Sequence, residues 1–175
     1  MERLDPIEII AYDPAWPGLF ERERARVDQA LSTWLVGPVE HIGSTSVPGL
    51  PAKPIIDMLA RIEHYDPALT DPLVQALAGI GWIHAPEPAD AGQRKWSFCF
   101  PDASWRTHHL HVVELSWGWP GLLAFRDHLR THPADAAEYA RIKVQLAAAD
   151  NRDRPAYRAG KAPFIEGLLK RIESR

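Results

Sequence analysis

The stretch His41 to Ile62, HIGSTSVPGLPAKPIIDMLARI, constrains this chain more than any other. Gly43 can turn the backbone at positive φ without a Cβ clash, and Ser44, Thr45 and Ser46 then offer three hydroxyls beside open backbone N–H groups. Such a turn can hold a phosphate. Pro48, Gly49, Pro51 and Pro54 follow, and the prolines pre-set several φ angles, lowering the entropic cost of an ordered loop. Ile55, Ile56, Met58, Leu59 and Ile62 make a nearly continuous apolar run, the pattern of a strand buried on both faces. Asp57 stands in its middle. An unpaired carboxylate there is costly, so two readings stay open: a buried Asp satisfied by backbone N–H groups, or a ligand for a metal or a substrate.

The flanking sequence supplies neighbours for this unit. Ile7 to Ala11 is apolar enough for a short strand. Asp13 and Pro14 suit the start of a helix in which Leu19, Phe20, Val27, Leu31 and Trp34 fall at helical spacing, and Gly37-Pro38 stops it. Val39 to Ile42 then makes a strand that delivers the chain into the Gly-Ser turn. Asp71-Pro72 opens a second helix through Leu73, Leu77 and Ile80, and Trp82 to His84 is short and strand-like. Arg94 to Phe100 and Thr107 to Leu115 read as two strands of a hairpin.

In the second of these, period-2 alternation puts His109, His111 and Val113 on one face and Leu110, Val112 and Glu114 on the other. Imidazoles at i and i+2 can aim at one point, which suits a metal or a phosphate, and neutral imidazole suits transition metals better than magnesium. A hydrogen-bonded His pair on a sheet face fits the spacing equally well. His108 is expected at the strand's edge, in solvent. The C-terminal third reads as helical, with Leu122, Phe125 and Leu129 on one stripe and Phe164, Ile165, Leu168, Leu169 and Ile172 on the last. Trp117 and Trp119 either form an aromatic patch or pack under these helices.

Length and charge narrow the functions. At 175 residues the chain is expected to form one domain over residues 1–175. A net charge of −3 gives no general basic field, so general nucleic-acid binding is not suggested and any polyanion site must be local. The single cysteine, Cys99, excludes an intrachain disulfide and reads as a small buried apolar residue. No stretch approaches the length of a membrane span, and a cytoplasmic protein is expected.

Three segments carry a family resemblance: His41 to Ile62, RTHHLHVVE at Arg106 to Glu114, and LLAFRDHLRTHPADAAEYARIK at Leu122 to Lys143. Together they resemble the GrpB family, a group of predicted nucleotidyltransferases, and the similarity covers nearly the whole chain. The resemblance implies an α+β, nucleotidyltransferase-like fold: a short mixed β-sheet with flanking helices and a helical C-terminal third. In the wider superfamily a Gly-Ser turn holds the nucleotide phosphates, and a following strand bears Asp-x-Asp, whose acids bind divalent metal. Carried onto this sequence, Gly43, Ser44 and Thr45 hold a nucleoside triphosphate. Asp57 is the catalytic acid and binds Mg²⁺ or another divalent metal, with His109 and His111 completing the coordination. Lys53 or Arg94 neutralises the triphosphate tail, and Arg126, Lys143 and Lys161 are candidates for phosphate contact.

Leu59 stands where the second acid would be. A two-metal clamp needs several oxygen ligands, so either the His pair substitutes for the missing acid or the activity is lost. The implied activity is nucleotidyl transfer to an unknown acceptor. The alternative is a non-catalytic nucleotide- or small-ligand-binding protein on the same scaffold.

Overall fold

Alternation along neighbouring strands organises the molecule. The structure is a computed structural model that describes residues 4–116 and 119–174. Its strands are β1 (Glu40–Ile42), β2 (Ile56–Ile62), β3 (Ile83–His84), β4 (Lys95–Pro101) and β5 (Arg106–Glu114). They form one sheet in the order β1-β2-β5-β4-β3, in which β2 and β5 pair in parallel and the other neighbours are antiparallel. The helices are α1 (Trp16–Ala30), α2 (Thr70–Ala78), α3 (Trp119–Thr131), α4 (Pro133–Ala149) and α5 (Arg154–Glu173). This is the α+β architecture expected from the sequence: a short mixed sheet, flanking helices and a helical C-terminal third.

One face of the sheet is the main core. Ile56, Met58, Ala60 and Ile62 of β2 join Leu110 and Val112 of β5 and Trp96 and Phe98 of β4 beneath Phe20 and Val27 of α1 and Leu73 and Leu77 of α2. Each large apolar side chain closed off in this way contributes about 1.5–3 kcal/mol relative to exposure. The other face meets the C-terminal helices only in part. A second cluster, Val47, Leu50, Leu129, Tyr139 and Leu168, ties those helices to the Pro-rich loop. Gly160 lets α5 seat closely on α4, since a Cβ there would clash with Leu146. A cleft is left between α3–α5 and the sheet.

Three expectations are corrected or bounded. The strand expected over Ile7 to Ala11 reduces to a single bridge, Ile10 to Ala52, because Pro51 and Pro54 beside the partner lack the N–H groups a ladder needs. His108 is not solvated. It is 5% exposed and lies edge-on to Trp82 and Phe100, since β5 is the central strand and His108 shares the parity of Leu110 and Val112. Trp117 lies outside the described residues, and Trp119 is described only as the start of α3. Glu114 is on the side away from the His pair, as expected, where it accepts from the Tyr65 N–H at 2.8 Å. Among the described residues no helix is long and apolar enough to cross a membrane.

Candidate functional site

The Gly-Ser turn is built against Asp57. Antiparallel pairing sets Ile42 opposite Asp57, so the next residue, Gly43, passes directly beside the carboxylate. Gly43 has φ 71°, and a Cβ there would lie 2.6 Å from Asp57 Oδ2. Only glycine satisfies both conditions. Ser44–Ser46 then winds a single turn of 3-10 helix.

The three hydroxyls of this turn have different fates. Ser46 Oγ donates to the Gly43 carbonyl at 2.5 Å. Thr45 Oγ1 donates to the Ile55 carbonyl at 3.1 Å and lies 3.0 Å from His41 Nε2, so this hydroxyl, expected to meet a ligand, instead fastens β1 to β2. Ser44 Oγ faces the cleft, where Lys143 Nζ reaches it at 2.9 Å. Arg130 of α3 holds the turn from outside through two bonds to the Ser46 carbonyl, at 3.0 and 2.8 Å.

The parallel register aligns Asp57 with His109 and Leu59 with His111. His109 Nδ1 donates to Asp57 Oδ1 at 3.1 Å. Burial would raise the Asp57 carboxyl, but the hydrogen bond and charge of His109, with His111 and Lys53 behind them, hold it down to about 2. Burial lowers His111 to about 4 against the pull of Asp57. His109 Nε2 and His111 Nδ1 are buried without a hydrogen-bond partner among the described residues.

The residues fit a metal only in part. Among the described residues no group of three or more His, Cys, Asp or Glu side chains is placed to hold an ion, so Asp57, His109 and His111 do not form a three-ligand centre. Leu59, at the position of a second acid, is 0% exposed and packs with Ile42 and Val113. Among the described residues Asp57 is the carboxylate of the floor, and an ion here would take its other oxygens from a bound ligand or water.

The turn, Asp57, His109 and His111 share a cavity of about 460 Å³ with α4 and α5. Its lining holds seven Lys and Arg residues, Lys53, Lys95, Arg126, Lys143, Arg154, Arg158 and Lys161, against two acids, Asp57 and Glu87. In a chain of net charge −3 this is a local excess of cations. Some of these cations are already committed. Arg126 pairs with Glu40 at 2.9 Å, Arg154 with Asp5 at 3.0 Å, and Lys95 sits 3.4 Å from Asp90. Lys53 and Lys161 lie over the Tyr157 ring at 5.6 and 4.5 Å. Burial lowers the Lys161 ammonium, with Asp57 opposing. Burial, then the nearby Lys161, brings Lys143 down to about 7, while burial pushes Tyr139 up to about 12 against its bond to Ser44.

Of the residues singled out from sequence, Gly43, Ser44, Thr45, Lys53, Asp57, His109 and His111 all border this cavity, as do Arg126, Lys143 and Lys161. Arg94 does not. Its side chain is 55% exposed and bonds Glu114 at 2.5 Å, because Arg94, at φ 51°, precedes the start of β4 and Lys95 takes the inward place. Sequence reasoning did not single out Tyr139, Tyr157 or Lys95. One signal was available: Arg154, Tyr157, Arg158 and Lys161 fall at i, i+3, i+4 and i+7 and share one face of α5.

Fold and cleft together define a class: an α+β protein with a five-stranded mixed sheet and a cationic pocket over a Gly-Ser turn. The GrpB protein family model matches residues 6–171, and the chain belongs to the GrpB family. It is 41% identical over 170 residues to the UPF0157 protein PA4798 of Pseudomonas aeruginosa, covering 95% of this chain and 68% of that protein. It is 35% identical over 163 residues to the UPF0157 protein YqkA of Bacillus subtilis, covering 91% of this chain and 45% of YqkA. Among solved structures, the conserved protein GrpB from Enterococcus faecalis superposes with a TM-score of 0.80 at 34% identity, over 94% of this chain and 98% of that one.

Proposed function

We propose that the cleft binds a nucleoside triphosphate and transfers its nucleotidyl group to an acceptor. The observation that supports this best is the convergence, on one 460 Å³ cavity, of the Gly43-Ser44 turn, the ionised Asp57 and a wall of cations. In this reading the Gly43-Ser44 backbone receives phosphate oxygens, and Lys53, Arg158 and Lys161 neutralise the chain of phosphates. His109 fixes the rotamer of Asp57 and keeps it ionised. Catalysis then comes mainly from positioning and charge neutralisation. A divalent ion brought by the triphosphate would take Asp57 as its protein ligand and supply further charge neutralisation. A cytoplasmic location, where triphosphates are available, goes with this reading.

Leu59 favours a second reading, in which the same cleft binds a nucleotide without turning it over. Titration calorimetry with each common nucleoside triphosphate, with and without Mg²⁺ or Mn²⁺, separates the two. Metal-dependent binding that Asp57→Ala removes supports the transferase reading. Binding that needs neither metal nor Asp57 supports simple binding, and no binding to any triphosphate overturns both.

A further inference from the structure

Ser44 has a second feature that phosphate binding does not use. Lys143 crosses from α4 on the opposite wall, and its Nζ lies 2.9 Å from Ser44 Oγ and 2.5 Å from the Pro51 carbonyl oxygen. The residue is 1% exposed, and the charged group acting on it is another cation, Lys161. A buried ammonium without a counter-ion is costly, which favours the neutral amine.

The groups facing Nζ agree with this. Ser44 and Pro51 meet it from the turn and the loop, and the Tyr139 ring lies 4.8 Å away on α4. Lys161, the charged neighbour from α5, disfavours protonation further, so that Lys143 titrates at about 7. Tyr139, pushed up to about 12 by burial, stays a neutral phenol at neutral pH and does not serve as the base. A neutral amine that donates to Pro51 keeps its lone pair for the Ser44 proton. Thr45 and Ser46 have hydroxyls bonded to backbone carbonyls, and Ser44 is the member of the turn set against a base.

We propose that Ser44 Oγ is a nucleophile activated by Lys143 Nζ as general base, and that the cleft works through a covalent phosphate ester on Ser44. Ser44 Oγ forms the new bond to phosphorus, its proton passes to Lys143 Nζ, and the bond from phosphorus to the leaving group breaks. With a nucleoside triphosphate attacked at the α-phosphorus, pyrophosphate departs. In the second step the acceptor oxygen displaces Ser44, which recovers its proton from Lys143 while the acceptor proton leaves to solvent. The identity of the natural electrophile rests on the nucleotide reading above; the nucleophile itself does not.

It is therefore tested without a nucleotide, using diisopropyl fluorophosphate, a neutral phosphorus electrophile that loses fluoride. Peptide mass spectrometry is expected to find one adduct, on Ser44, with a labelling rate that rises with pH to a plateau and has its midpoint near the Lys143 value of about 7. Ser44→Ala should not label. Lys143→Arg puts a permanent cation beside Ser44 that cannot accept a proton, so labelling should slow by on the order of a hundredfold, with folding verified by circular dichroism. No adduct on Ser44 in the folded wild type, or wild-type labelling by Lys143→Arg, overturns the proposal. Triphosphate binding without Ser44 labelling overturns the nucleophile and spares the nucleotide reading; labelling without triphosphate binding does the reverse.

Discussion

Two faces of one sheet put the same strands to opposite uses. On the face toward α1 and α2, Met58, Ala60, Leu110 and Val112 are all 0% exposed and close against apolar helices. On the face toward α4 and α5, the alternate residues Asp57, His109 and His111 open into a cleft of about 460 Å³. The apolar face closes because, His108 apart, its strands present apolar side chains to apolar helices. The polar face stays open because a carboxylate, two imidazoles and several cations cannot be desolvated together without a ligand to compensate them. The site thus lies where polar residues interrupt a run that hydrophobicity alone would bury.

The contrast is tested most severely at Leu110. Leu110→Ala leaves a void in the closed face and is expected to cost about 2–5 kcal/mol in urea denaturation, with no change in the cleft affinity of the folded fraction. A comparable loss of affinity would show that the faces are not separable.

Acid sharpens the contrast next, because both faces carry histidines depressed by burial. On the closed face burial lowers His108 and takes His41, stacked on Phe20, from 6.5 to about 4; in the cleft it takes His111 from 6.5 to about 4. Between these values the unfolded chain takes up protons that the folded chain does not, so stability falls as pH drops from 6.5 toward 4, by about 2 kcal/mol for each of His41 and His111. Asp57, lowered from 3.8 to about 2, contributes stability above pH 4 that is lost toward pH 2. Imidazole NMR titration beside denaturation at several pH values checks this, and a stability profile flat from pH 7 to 4 would contradict it.

Gly43→Ala probes the contact between turn and carboxylate. The new Cβ meets Asp57 Oδ2 on backbone at φ 71°, so a loss of about 1–3 kcal/mol is expected, together with loss of triphosphate binding by calorimetry. The smallest effect belongs to Arg94→Ala. That side chain is 55% exposed and outside the cleft, and the change should cost less than about 1 kcal/mol while leaving ligand affinity within about twofold, since no cavity contact is lost.

Much of the sheet and the floor of the site was legible in the sequence, for local reasons. Gly43 and the prolines mark the turn and loop, and period-2 alternation sorts His109 and His111 from Leu110 and Val112. Of the roof, Arg126, Lys143 and Lys161 were candidates from the sequence, but Arg154, Tyr157 and Arg158 look like an ordinary solvated face until the packing of α5 sets its direction. Arg94 and Lys95 exchange roles across a single residue of register, and one such step flips a side chain to the other face. Thr45 could not be assigned because its partner, the Ile55 carbonyl, lies across the Pro-rich loop. Alternation carried two residues back from Leu110 does assign His108 inward, and its expected place at the strand's edge argued for solvent.

The decisive measurement is the ligand-induced shift in unfolding free energy on adding a nucleoside triphosphate with Mg²⁺ to wild type, Ile62→Val, Asp57→Ala and Lys161→Met. At a hundredfold excess over Kd, a ligand that binds only the folded state adds about 2.7 kcal/mol. That shift is expected in wild type and in Ile62→Val, whose change is confined to the closed face, and it should vanish in Asp57→Ala and Lys161→Met. No shift in wild type, or equal shifts in all four proteins, would contradict a nucleotide site in the cleft.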